Sequence, residues 1–165
     1  MLVELVRVLL FPALMAFAAA SDLLNMTISN RISLALVAGF VALAIACGLN
    51  PQMILAHMVT GLLVLAVGFA LFWRGLVGGG DAKLAAAAAL WLGFDHLAQY
   101  ALLGALLGGV LTLGILAFRF MPLPTWLAGQ TWAVRLHQFD GGVPYGIALA
   151  ASALLIYPST TWMPA

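Results

Sequence analysis

From Gln52 to Trp73 the chain carries no acidic or basic residue apart from His57. That length matches the ~20 residues an α-helix needs to cross ~30 Å of hydrocarbon. In such surroundings backbone N–H and C=O groups must pair within the segment, which a helix achieves by itself. Comparable apolar stretches occur at 3–22, 32–49, 97–118 and 143–162, with a shorter alanine-rich one at 82–94. Hydrophobic residues form 65% of the 165-residue chain and charged residues 7%, where soluble domains average roughly 25% charged. The pattern predicts an all-α, polytopic integral membrane protein with about six transmembrane helices, built as a single membrane-embedded domain over 1–165.

Composition also excludes partners. A formal net charge of +1 with no basic cluster offers no surface for nucleic acid. Cys47 is the single cysteine, so neither an intrachain disulfide nor a CxxC metal site can form. His57 has no second histidine or carboxylate at helical spacing and reads as a hydrogen-bonded packing residue. No metal and no cofactor are expected. The first apolar run ends in Ala18-Ala19-Ala20, like a signal-peptide cleavage site, but the positive leading region of a signal peptide is missing because Glu4 and Arg7 cancel. Being three apart, they can share one helix face. The run is expected to be a first transmembrane helix.

The polar connections give orientation. Those after helices one, three and five carry Arg31, Arg74, Lys83, Arg119 and Arg135, and only Arg7 falls on the other side. By the positive-inside rule these connections are cytoplasmic and both termini lie outside. The connection over 119–142, with Trp126 and Trp132 as interfacial anchors, is expected to lie along the membrane surface. Asp22, ending helix one, and Asp81, starting helix four, then share the cytoplasmic face.

Asp81 follows Gly78-Gly79-Gly80, a stretch without side chains that would block a close backbone approach. An ionisable group bordering hydrocarbon is costly and usually functional. Two such carboxylates at one interface suit aspartic-peptidase chemistry: one ionised group activates a water while its protonated partner polarises the scissile carbonyl. The pair shares a proton, because adjacent negative charges cannot both ionise cheaply. Spacing alone leaves two other readings open. Each aspartate could cap a helix or pair with an arginine, or both could serve a small transporter or proton-relay membrane subunit.

Three islands carry a resemblance to a known family. Asp22-Leu23-Leu24-Asn25-Met26-Thr27-Ile28-Ser29-Asn30, Gly78-Gly79-Gly80-Asp81 and Val143-Pro144-Tyr145-Gly146 resemble the aspartate-plus-Ile-x-Asn element, the GxGD signature and the Pro-Tyr-Gly start of the last helix in type IV prepilin peptidases. The likeness is to the small TadV/CpaA-like members that serve Flp-type pili. It implies that Asp22 and Asp81 are the catalytic dyad of an aspartic-type endopeptidase in the bacterial inner (cytoplasmic) membrane. Its active site would face the cytoplasm and remove leader peptides from prepilins and pseudopilins, with membrane lipid as its surroundings. Gly78, Gly80, Lys83, Asn25, Asn30 and Tyr145 become expected substrate-binding or supporting residues. Larger members carry paired CxxC motifs and also N-methylate the new pilin terminus; nothing here corresponds, so proteolysis without methylation is implied. Ser29 replaces the proline often found before the asparagine of the first motif. A GxGD peptidase for another membrane-anchored substrate, such as preflagellin, has the same signature.

Overall fold

The structure, a computed structural model, describes residues 1–163. Among them it holds seven α-helices and no strand: α1 (Leu2–Asn25), α2 (Asn30–Ala46), α3 (Pro51–Trp73), α4 (Gly79–Leu92), α5 (Leu97–Phe120), α6 (Thr131–His137) and α7 (Gly146–Ile156), with 3-10 turns at Phe94–His96 and Tyr157–Ser159. This is a helical membrane protein, as the hydropathy pattern predicts. α1, α3 and α5 are long and apolar enough to cross a bilayer, and α2 and α7 are shorter apolar helices. On α3 only Thr60 and Gly61 are buried within the protein. Most of its other apolar side chains face outward, an arrangement that suits a lipid surround and would be unfavourable in water.

α4 is the axis of the bundle. Nine of its residues are buried, and α2, α3, α5 and α7 all pack on it. The alanine run makes this possible, since small side chains let helices approach closely. α3 answers with glycine: a Cβ at Gly68 would lie 3.0 Å from Ala82 Cβ. The far end of α4 is fixed by aromatics. Trp91 Nε1 donates to Leu36 O at 2.9 Å, and Trp162 Nε1 donates to Trp91 O at 2.8 Å, so both buried indoles have partners. Here too His57 Nδ1 donates to Leu90 O at 2.8 Å, tying α3 to α4.

Several element ends differ from the sequence reading for identifiable reasons. α1 runs on past Asp22 to Asn25, where Met26 turns left-handed (φ 54°) and its N–H bonds Asp22 O. The aspartate therefore belongs to the last turn instead of closing the helix. α4 starts at Gly79, so two of the three glycines form helix, and it stops at Gly93, whose φ 74° and ψ 176° only glycine adopts readily. The last helix is shorter than 143–162: Pro158 cannot donate a backbone bond, and the α-helix gives way to a 3-10 turn.

The connection after α5 is built, not merely laid down. It contains α6, whose Ala133 and Leu136 are buried. Arg119, 6% exposed, donates from Nε to Leu136 O (2.8 Å) and from Nη2 to Gly141 O (2.8 Å) and Gly142 O (2.9 Å). Arg135 Nη1 reaches Leu24 O at the end of α1, at 3.2 Å. These bonds set the path by which the chain enters α7.

Candidate active site

Asp22 is buried, at 5% exposure, and one backbone group holds it. The N–H of Gly146, at the start of α7, donates to Asp22 Oδ2 at 2.8 Å. The first N–H groups of a helix lack partners inside it and carry the positive end of its dipole, which makes them natural hosts for a carboxylate. Position 146 must be glycine for this contact: a Cβ there would lie 2.8 Å from Asp22 Oδ2 and 2.7 Å from Ile28 Cδ1.

Asp81 occupies the first turn of α4 and is only partly buried. Its carboxyl folds back over the start of the helix, where Oδ2 would sit 2.9 Å from a Cβ at Gly78. Among the described residues it accepts no hydrogen bond, and Gly78 caps the helix without a side chain. One oxygen-rich group is thus held rigid and the other left free. Gly80, beside Asp81, and Gly146, the partner of Asp22, both pack against Ile28, so helices distant in sequence bring both carboxyls to one end of the bundle.

Ile28 lies between the segments that carry them. A Cβ at Gly80 would meet Ile28 Cβ at 3.3 Å, and the same side chain reaches Gly146. The isoleucine therefore sits between the first turns of α4 and α7. Tyr145, just before Gly146, lays its ring where a side chain at Gly108 of α5 would go. Its hydroxyl donates to Gly104 O at 3.3 Å. Gly104 and Gly108, a GxxxG pair, thus form the face that receives α7.

The remaining sequence candidates fall elsewhere. Lys83 Nζ donates to Asn30 Oδ1 at 2.9 Å, bracing α4 against α2. At about 100° of helix per residue, Lys83 points away from Asp81. Asn25 is exposed at the end of α1. The Gly146 N–H and Ile28 also belong to the site, although neither is among the sequence candidates. Both lie inside the motifs Pro-Tyr-Gly and Ile-x-Asn, which are their only signal in the sequence. Among the described residues no cluster of histidine, cysteine or carboxylate side chains could hold a metal ion.

Comparison with known proteins supplies the affiliation. A model of the type IV leader peptidase family matches residues 9–113, well over half of the chain and the span that contains both aspartates. The chain belongs to the type IV leader peptidase family. No curated protein and no solved structure matches it. Membership supports a peptidase of prepilin type and, with the apolar helices, a membrane location. The end of the bundle where α1, α4 and α7 meet is where Asp22 and Asp81 stand.

Proposed function

We propose that the protein is an aspartic endopeptidase of the bacterial inner membrane that removes the cytoplasmic leader from Flp-type prepilins and pseudopilins, without N-methylating the product. The observation that supports this reading is that Asp22 and Asp81 stand at the same end of the bundle, one anchored by the Gly146 N–H and the other free. Family membership supports the same class of reaction.

The chemistry needs one proton shared by two carboxyls. The ionised member takes a proton from water, whose oxygen attacks the scissile carbonyl carbon, while the protonated member gives its proton to the carbonyl oxygen. Collapse of the resulting gem-diol breaks the C–N bond. The amine leaves with the proton first taken from water, a gem-diol hydroxyl gives its proton to the other carboxylate, and the pair regains its starting state. Gly78 and Gly80 keep the approach to Asp81 low, so an extended peptide can lie over it. The single cysteine supports the absence of methyl transfer, because the paired CxxC segment of the larger members has no counterpart here. With cytoplasmic arginines and both termini outside, the dyad lies at the depth where a precursor leaves the cytoplasm and enters the bilayer.

The test is co-expression of a Flp-type prepilin with the wild type, Asp22→Asn or Asp81→Asn, reading leader loss by mass and membrane abundance of each variant. Loss of processing in both variants, each present at wild-type level, is the expected result. Wild-type processing by either one refutes the dyad. Retention of an unmethylated mature terminus checks the second half of the proposal.

A further inference from the structure

A cavity of about 390 Å³ lies between α3 and α5, floored by α4 and closed on one side by α7. Such a volume falls in the lower part of the roughly 300–1,000 Å³ range of small-molecule sites. It can take a few apolar side chains but not a whole helix. Leu63, Val67 and Ala85 line it with Ala101, Ala105 and Leu149. Leu63, Val67, Ala101 and Ala105 are exposed, so the cavity opens sideways, towards lipid, where α3 and α5 each pack on α4 without closing on each other.

One observation places it beside the dyad and a second points to an occupant. Ala85 lies four residues after Asp81, and residues at that spacing share a helix face. The cavity therefore continues the face of α4 that carries the carboxyl. A second groove of similar size, between α2 and α3, uses Lys83, Ala87 and Leu90, which lie on the opposite side of α4. Tyr145, also in the lining, directly precedes the glycine that anchors Asp22. The second observation is an unmet hydrogen bond. Tyr100 lines the cavity and is 3% exposed, and its buried hydroxyl has no partner among the described residues. A buried polar group without a partner is costly in a folded chain and invites an external one.

We propose that this cavity seats the first apolar residues following the scissile bond of the peptide substrate, which enter sideways from the bilayer, with the Tyr100 hydroxyl hydrogen-bonding the seated segment. The inference rests on the peptidase reading and specifies where that reaction takes its specificity. The occupant follows from the surroundings: the cavity is apolar, opens sideways and shares the face of α4 that carries Asp81, which suits the membrane-embedded part of the chain being cut. Tyr100 is then a specificity-determining residue that the reaction itself does not consume.

The experiment places a photoreactive amino acid at Ala105, in the cavity, or at Leu62, in the opposite groove, within full-length Asp81→Asn protein. Each is co-reconstituted in liposomes with a Flp-type prepilin, and wild-type protein is assayed for cleavage of the same precursor in parallel. Expected are cleavage by the wild type and cross-links from position 105, mapped by mass spectrometry to the residues just after the scissile bond. Cleavage with cross-links only from position 62, or with none from 105, overturns the inference and leaves the peptidase reading standing. No cleavage by the wild type overturns both. Tyr100→Phe gives an independent readout: a melting temperature kept or raised, KM up about three- to tenfold and kcat within about twofold. An unchanged KM overturns the role of Tyr100.

Discussion

The two aspartates share one end of the same bundle, yet their surroundings differ. Asp22 is buried in the last turn of α1 and fixed by a backbone N–H from α7, with Ile28 packed at its side. Asp81 stands in the first turn of a glycine-led helix, partly exposed and without a hydrogen bond among the described residues. One carboxyl is immobilised by tertiary structure and the other is left to respond to what arrives. A shared-proton mechanism benefits from this asymmetry, because one fixed oxygen defines where water sits while the free one can follow the carbonyl.

The sharpest way to break the comparison is to remove either carboxyl. Asp22→Asn and Asp81→Asn should each lower the cleavage rate by at least about a thousandfold, and the double variant should be no worse than the singles, since residues acting as a unit are non-additive. Single-turnover cleavage in proteoliposomes measures it. A smaller effect separates the anchored side from the free one. Gly146→Ala pushes a methyl against Asp22 Oδ2 and Ile28, and displacing a reacting group by about 1 Å costs on the order of a hundredfold. Gly78→Ala also crowds a carboxyl oxygen, but that carboxyl is free to swing, and a loss of less than about tenfold is expected. Equal losses in the two alanine variants would show that Asp22 is no more tightly positioned than Asp81.

The asymmetry could not be read from the sequence, although both aspartates could. Asp22 and Asp81 stand out because a carboxylate beside long apolar runs is rare, and the helical class follows from the same runs. The partner of Asp22 is a backbone amide more than a hundred residues away, and a glycine N–H leaves no mark in composition. Gly79 and Gly80 read as loop because glycine is a poor helix former, yet close packing against Phe72 and Ile28 suits residues without side chains there. α6 is too short for its buried pair, Ala133 and Leu136, to give a periodic signal. Arg119 reads in the sequence as a cytoplasmic charge, while the fold uses it to gather three carbonyls.

That use of Arg119 supplies the next test of the anchored side. Arg119→Met leaves Leu136, Gly141 and Gly142 carbonyls without their donor, at a cost of roughly 1–3 kcal/mol per buried group left unpaired. The path into α7 should loosen, lowering the melting temperature in detergent and, through Gly146, the cleavage rate. A stable variant with normal activity would mean that α7 finds its position without this connection.

The smallest effect is expected on the far face of α4. Lys83 and Asn30 brace α4 to α2 through one exposed hydrogen bond, and exposed polar contacts of this kind contribute less than about 1 kcal/mol. Lys83→Met and Asn30→Ala should therefore shift the melting temperature little and change the cleavage rate by less than about threefold. Their double variant should match either single, because both remove the same bond. The resemblance to leader peptidases makes Lys83 and Asn30 candidates for substrate contact, whereas the geometry turns them away from Asp81. A tenfold rise in KM in either variant would favour the contact. It would also move the substrate to the groove between α2 and α3, on the side of α4 opposite the free carboxyl.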